Sequence, residues 1–471
     1  MGGLLNTLDI ASSALSASRQ GVEVSGVNLS NVNNPNYARA RVVIEPRRDP
    51  TGTGAGVQVV GVVSLRDTIL DEQVIRENSG ISYLQNYQRA LQLGQVLLGQ
   101  QIDRQSATPE AEAAARDLGG QMALANGISE FFNAMQAASV APASSAERQV
   151  LLLKADQLAQ KFNSVDERIG TLQSDIDKDL QDRLKEANNL IEQIAKLAND
   201  ASAVSIDGSS GGVVKDTLQT RMEDLAKLVS FQSYFDEDSH LTLSVNGVDL
   251  VSSNAQSGHL ETLVGKNGHI LVQAVNDNSG TKADVEGKGG MRGLIDARDQ
   301  SLKSLKDNID SLAATFIEQF NAIHATGTNL DGTKGNDFFL GSGSGDIRVN
   351  AALLEDVRKV QLSGNGSSGD NGVALKLARL MEEPQESLDQ LTFSEHYNET
   401  VVSYGQELSN INNRLADQEV ISHTLGQQRN SVIGVSIDEE MSALVQYQRA
   451  YQASARLITT INELFATLLN V

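Results

Sequence analysis

The stretch from Ser436 to Val471 constrains this chain most. It contains no proline or glycine, and Leu457, Ile461, Leu464, Leu468 and Val471 recur at alternating spacings of four and three. Ile458, Phe465 and Leu469 widen the stripe on one side. That spacing predicts an amphipathic helix with a broad apolar face. Its first turn is acidic (Asp438, Glu439, Glu440), which suits the positive end of a helix dipole, and Ser436 or Asp438 can cap it. As one helix it would run about 50 Å. An apolar face of that length needs a partner.

Residues 3–33 carry the matching pattern. Leu4, Leu8, Ala11, Leu15, Ser18, Val22, Ser25, Leu29 and Val32 alternate by four and three, and only Asp9, Arg19 and Glu23 are charged before Tyr37. A helix so poor in charge is expected to be covered on more than one side, because such helices gain stability mainly from packing. Two readings follow from periodicity. The chain ends pair as a coiled coil with surface left for other molecules, or they are two core helices of one globular domain. The N-terminal helix stops at Leu29-Ser-Asn-Val-Asn-Asn-Pro-Asn-Tyr37. There Pro35 lacks a backbone donor and biases Asn34 away from helix, and Asn36 tolerates a left-handed conformation.

Between the ends the pattern changes several times. Residues 39–65 read as a strand hairpin. Its glycines at 52–56 lack the Gly-Lys-Ser/Thr and the following helix of a phosphate loop. Helical spacing runs from Asp67 to about Leu98, and another helix is expected after Thr108-Pro109-Glu110, ending near Ala137. A very long helix follows from Ala146 to about Asn199, with a stutter where Leu180 and Leu184 succeed Ile176 at steps of four. Beyond Asp200 the composition shifts. Val204–Ile206, Gly208–Gly212, Leu241–Val245 and Ile270–Val275 read as short strands, interrupted by one helix from Lys215. Helical heptads return through Leu302, Leu305, Ile309, Leu312, Phe316, Phe320 and Ile323, then from Val373 to Met381, and from Ser394 to about Asn430.

Composition excludes several functions. A formal charge of −22 argues against binding nucleic acid or anionic membranes. No apolar run is long enough to span a bilayer, and the N-terminus lacks an ordinary secretory signal. The absence of cysteine removes disulfides, thiolate metal sites and cysteine nucleophiles. Tryptophan is absent and aromatics make up 4 %, which favours aliphatic, alanine-rich helix packing over large aromatic pockets. His240, His259 and His269 match no metal spacing and read as surface or strand residues. Asn329–Asp337 has the flavour of a calcium loop, but Lys334 interrupts it and the closing glutamate is missing, so turn chemistry accounts for it better. No catalytic set, cofactor or metal is expected.

Several stretches together carry a family resemblance. The turn built on Asn31, Asn34, Pro35, Asn36 and Tyr37 is similar to the Asn-rich turn of flagellar rod, hook and junction proteins, with Asn34 where Thr is common and Asn36 where Gly is common. The tail Asp438–Ile458, the segments Gly290–Asp299 and Phe320–His324, and Gly54–Asp67 resemble the FlgK family of flagellar hook-associated proteins (hook-associated protein 1), which join hook to filament. The resemblance implies a mainly α, elongated, multidomain axial protein with a β-rich insert and its two ends paired as a coiled coil. The regions expected are 1–38 with 432–471 as the terminal axial pair, 39–199 with 289–431 as a helical body, and 200–288 as an outer β domain. Residues 326–372 read as a possible added loop or small subdomain.

Further implications are type III export without a cleaved signal and a place at the hook–filament junction outside the cell. The partners implied are the hook protein, a second junction protein, copies of itself in a helical lattice, and a FlgN-type export chaperone on the C-terminal helix. The assembly surface is expected at Leu4, Leu8, Leu15, Val22, Leu29, Leu457, Ile461, Leu464 and Leu468. The rivals are another axial subunit (filament, hook or rod), a secreted wall-active enzyme, and a cytosolic coiled-coil module.

Overall fold

A computed structural model describes residues 2–34, 36–47, 56–98, 124–207, 212–238 and 240–469. Pro35 and the helix start expected near Thr108 lie outside the described residues.

The chain opens with helix α1 (Gly2–Ser30) and a hairpin of β1 (Ala40–Pro46) and β2 (Val57–Ser64). The hairpin is antiparallel with a bulge at Val43/Ile44. The body follows: α2 (Thr68–Leu97), α3 (Leu124–Val140), α4 (Ser145–Asp207) and α5 (Gly212–Leu228). Asp67 caps α2, its carboxylate accepting from Ile69 N–H at 2.9 Å and Leu70 N–H at 3.2 Å. Helix α4 keeps its heptads through 63 residues, so at 1.5 Å per residue it is about 95 Å long. It reaches past the boundary expected at Asp200. Val204–Ile206, expected as a strand, are its last turn, and Gly212 opens α5, while 208–211 lie outside the described residues. The physical reason is tertiary: Ala198 and Ala201 are still buried, so packing carries the helix through a segment of strand-like composition.

Two small sheets lie against the later part of α4. One orders β3 (Gln232–Phe235), β4 (Leu241–Val245), β5 (Val248–Ser252) and β6 (Ala255–Gln256), and the other β7 (Gly258–Val264), β8 (Ile270–Asn276) and β9 (Lys282–Asp284). Asn246 and Gly247 form the two-residue turn between β4 and β5 with φ of 48° and 78°, the backbone that an Asn-Gly pair supplies cheaply. The sheets are not separate from the helices. Leu241, Leu243, Leu250, Leu260 and Val272 share one continuous apolar core with Ala187, Ile191 and Ile194 of α4. Asn188 adds a backbone-like clamp, accepting from Leu260 N–H and donating to Leu260 C=O, both at 2.8 Å.

The chain then returns to helix as α6 (Gly290–Asp296), a π turn (Ala297–Leu302) and α7 (Lys303–His324). The heptads predict one uninterrupted helix here. The extra residue of the π turn instead carries Arg298, with no exposed surface, into a joint with Asp177 of α4, Asp299 and the carbonyl of Ile270. Short pieces follow: β10 (Phe339–Leu340), β11 (Arg348–Val349), α8 (Ala351–Glu355) and α9 (Gly372–Arg379). In the loop expected as turn chemistry, Asn329 Oδ1 accepts from the N–H groups of Asp331 and Thr333, each at 2.9 Å. The chain closes with α10 (Phe393–Ile433) and α11 (Ile437–Leu469). A Thr392/Glu395 capping box starts α10.

The few aromatics are concentrated rather than dispersed. Phe131, Phe132, Phe162, Phe316, Phe320, Phe338, Phe339 and Phe393 pack in one cluster of edge-to-face and tilted ring pairs, eight of the chain's eleven phenylalanines. His324 lies at its border, fully buried. Its Nδ1–H donates to Asn336 C=O at 2.8 Å, and its Nε2 accepts from Gln361 N–H at 3.0 Å, so the neutral ring fits and the charged ring does not.

Burial, with nearby Arg148 adding to it, pushes the His324 pKa down from 6.5 to about 4. Above pH 6.5 the ring is neutral whether the chain is folded or not, and its contribution to stability is complete. As pH falls from 6.5 toward 4, the unfolded chain takes up a proton that the folded one refuses. Stability is therefore expected to drop by about 3 kcal/mol across that window. Urea unfolding midpoints measured from pH 7.5 to 4 check this, with His324→Gln expected to flatten the slope. Phe316→Ala is expected to cost about 3–5 kcal/mol at any pH in the same assay.

Candidate functional site

Helix α11 packs along α1, so the two chain ends meet as a helical pair. The buried and half-buried positions of α11 are Glu440, Ala443, Leu444, Tyr447, Ser454, Ala455, Ile458, Ile461 and Phe465. Through Glu440, Leu444, Tyr447, Ser454, Ile458, Ile461 and Phe465 they follow the four-three steps of a heptad seam, with the turn at exposed Tyr451 skipped. On α1 the matching positions are Ala11, Ser18, Gly21, Ser25 and Asn28, flanked by half-buried Leu4, Leu8, Leu15, Val22 and Leu29. The small residues explain the close approach. A Cβ on Gly21 would stand 2.5 Å from the Tyr447 ring. The hairpin covers another side of α1: Arg47 pairs with Asp9 at 3.2 Å, and Gly56 lies against Ser13 and Ile10.

The seam is rotated from the stripe that the tail spacing picks out. Ile461 is 3 % exposed, but Leu457 and Leu464 are 42 % and 47 % exposed. They lie one residue ahead of Ile458 and Phe465, hence about 100° round the helix. With Ala450, Ala453 and Thr460, also exposed, they form a second stripe of the same spacing that nothing among the described residues covers. Leu468 lies in the last turn of α11.

The Asn-rich turn does more than stop α1. Asn31 Nδ2 donates to Val27 C=O at 3.0 Å, and Asn34 Oδ1 accepts from Asn36 N–H at 3.2 Å. The Asn34 side chain thus shapes the turn. Tyr37 is buried, and its hydroxyl donates to Asn28 Oδ1 at 2.7 Å. Burial, with Asp216 and Glu440 nearby, pushes its pKa up to about 12, so it stays a donor.

These contacts belong to a polar hub whose other members have no signal in the sequence pattern. Asn28 is 1 % exposed. Its Oδ1 also accepts from Ala40 N–H at 2.9 Å, and its Nδ2 donates to Ala40 C=O at 2.9 Å and to Glu440 at 3.0 Å. Glu440 is 3 % exposed and accepts from Arg39 Nε at 2.7 Å. Arg39 also reaches Glu439 at 2.6 Å, and its backbone N–H donates to Ile433 C=O at 2.9 Å. On the body side, Asp216 of α5 accepts from Ala38 N–H at 3.0 Å and Arg66 Nε at 2.9 Å. Arg66 also binds Asp71 of α2 at 3.0 Å and the Asn36 carbonyl at 3.0 Å.

A body of long helices that holds both chain ends as a pair, with an apolar stripe left uncovered, is the build of a structural subunit that docks through its ends. The comparisons agree. The family described as flagellar hook-associated protein FlgK helical domain matches residues 117–339, and that described as flagellar basal body rod FlgEFG protein C-terminal matches 427–471. The chain is 24 % identical to flagellar hook-associated protein 1 of Bacillus subtilis, over 98 % of this chain and 97 % of the relative. It is 22 % identical to the protein of that name from Salmonella typhimurium, over 98 % and 99 %. In structure it is similar to the flagellar hook junction protein FlgK from Burkholderia pseudomallei, with TM-score 0.62 and 13 % identity, over 76 % of this chain and 100 % of that one. Over nearly its whole length the chain is thus similar to flagellar hook-associated protein 1, and its helical middle matches the FlgK family.

Gly21→Ala is expected to force α1 and α11 apart at a cost of about 1–3 kcal/mol, since the Tyr447 ring leaves no room. Hydrogen exchange should then quicken in both terminal helices and not in α4. Tyr447→Ala in the same chain should restore most of the protection.

Proposed function

We propose that this chain is a structural adaptor of the bacterial flagellum that joins hook to filament through its paired terminal helices. The observation that carries this reading is the second, uncovered stripe on α11. Leu457 and Leu464 stand exposed beside a seam that is already filled, which is the arrangement of a helix with one partner inside its chain and another outside it. Residues 1–38 with 432–471 form the axial pair, and the rest of the chain is the body that neighbouring subunits see. The external partners are the hook protein, a second junction protein and copies of this chain related by a helical lattice, whose contacts extend rather than close.

Before assembly the same stripe suits a FlgN-type export chaperone, which would take it by helix-in-groove recognition. A chain without cysteine fits export through a narrow type III channel, since no disulfide can trap it. The work of such a protein is done by a surface, so it needs no catalytic set. Among the described residues no helix is long and apolar enough to cross a membrane, and no group of three or more metal-ligating side chains gathers.

Deleting 438–471 is expected to leave a soluble, folded body. In cells it should give hooks without filaments and flagellin shed into the medium, seen by electron microscopy and immunoblotting. Normal filaments would overturn the reading. Leu457→Glu with Leu464→Glu should give the same phenotype while the purified variant melts like the parent, because both side chains are exposed in the free subunit.

A further inference from the structure

The continuous apolar core that unites α2 to α10 with both sheets contains no residue of α1, of the β1–β2 hairpin or of α11. Among the described residues the terminal pair therefore lies outside that continuous core. Where the two meet, only a few apolar groups are buried (Tyr37, Ala38 and Ile433) beside a dense polar set: Asn28, Glu440, Asp71 and Asp216 are all at least nine-tenths buried, with the guanidinium groups of Arg39 and Arg66 between them. The chain crosses this joint at Leu65–Asp67 and Gly434–Ser436, and Arg39 runs beside both, its C=O accepting from Leu65 N–H at 2.9 Å. The crossings are tied to each other by the hydrogen bond from Arg39 N–H to Ile433 C=O, 2.9 Å.

We propose that this hub is a releasable latch. Closed, it fixes the angle between the terminal pair and the body. Open, it lets the pair tilt about the two adjacent crossings while both parts stay folded. The physics of buried ion pairs favours such a device. Desolvation offsets most of the attraction between Glu440 and Arg39, so the pair adds little net stability, yet its geometry is specific and a lost partner leaves an uncompensated buried charge. On opening, every group in the hub regains water, whereas an apolar joint would expose surface at a cost proportional to its area. Glu440 is the key of the latch because it alone joins α11 to both Asn28 of α1 and Arg39 beside the crossings. Such a latch would serve a subunit that must seat one pair of helices between neighbours of different shape. In that use it rests on the junction reading, but its existence does not.

The absence of cysteine allows a direct test on the free, full-length subunit. Gln181→Cys on α4 and Gln448→Cys on α11, both exposed, take spin labels, and pulsed electron–electron resonance reads the distance distribution between them. One narrow peak is expected. Glu440→Ala should at least double its width without lowering the melting temperature of the body, and Arg39→Ala should do the same by removing the other half of the pair. Glu463→Ala, at an exposed carboxylate farther along α11, should leave the peak unchanged. A Glu440→Ala distribution as narrow as the parent's, or a parent already broad, overturns the latch. If Glu440→Ala fails to fold, Arg39→Ala decides by the same criterion. Because no assembly is involved, a failed latch leaves the junction reading standing, and normal filaments in the deletion strain would leave the latch standing.

Discussion

Burial of the apolar stripe of α4 is the interaction on which the rest of the body depends. A helix of this length cannot gain its stability from backbone hydrogen bonds alone, and packing must supply it. Leu151, Leu158, Phe162, Ile169, Leu180, Ile191 and Ile194 are all within the protein interior. Each is met by a different neighbour: the phenylalanine cluster toward the start of the helix, α5 and the two sheets toward its end. The sheets are thus not an appendage on a linker. They complete the cover of the spine, and their hairpins, too small to stand alone in water, borrow its core.

The joint at the terminal pair obeys a different rule. Apolar packing tolerates graded change, since a lost methylene costs a little and its neighbours partly relax. A hydrogen-bonded hub does not, because each member satisfies two or three others and the loss of one strands the rest. The same chain therefore uses shape-filling packing where it needs strength and polar pairing where it needs a defined angle.

The long helices were legible because periodicity reports burial directly. The four-three steps of α4, α7 and the first half of α10 place their buried faces correctly, whereas Ile421 farther along α10 is exposed, and the hairpin turns announce themselves through Asn-Gly pairs. What escaped has physical reasons. Val204–Ile206 has strand-like composition, but the spine's packing decides its conformation. The tail's spacing shows two overlapping stripes, and sequence alone does not tell which of them α1 takes; close approach at Gly21 and the bulk of Tyr447 settle it in favour of Ile458, Ile461 and Phe465. The hub was out of reach, because Asn28, Arg39, Arg66, Asp216 and Glu440 come together across separations of up to 412 residues, and no local pattern records such pairings.

The length of α4 also sets a mechanical ratio. The hub lies near the end of α4 that leads into α5, and the phenylalanine cluster lies toward its other end. On a spine about 95 Å long, a rotation of about 5° at the near end sweeps the far end through about 8 Å, more than one helical turn. Angular play too small to disturb any packing contact at the joint is thereby magnified into a displacement as large as a side chain. With the proposed latch as pivot, the spine would work as a lever arm, and the stiffness of a few hydrogen bonds would govern where the distant surface is found.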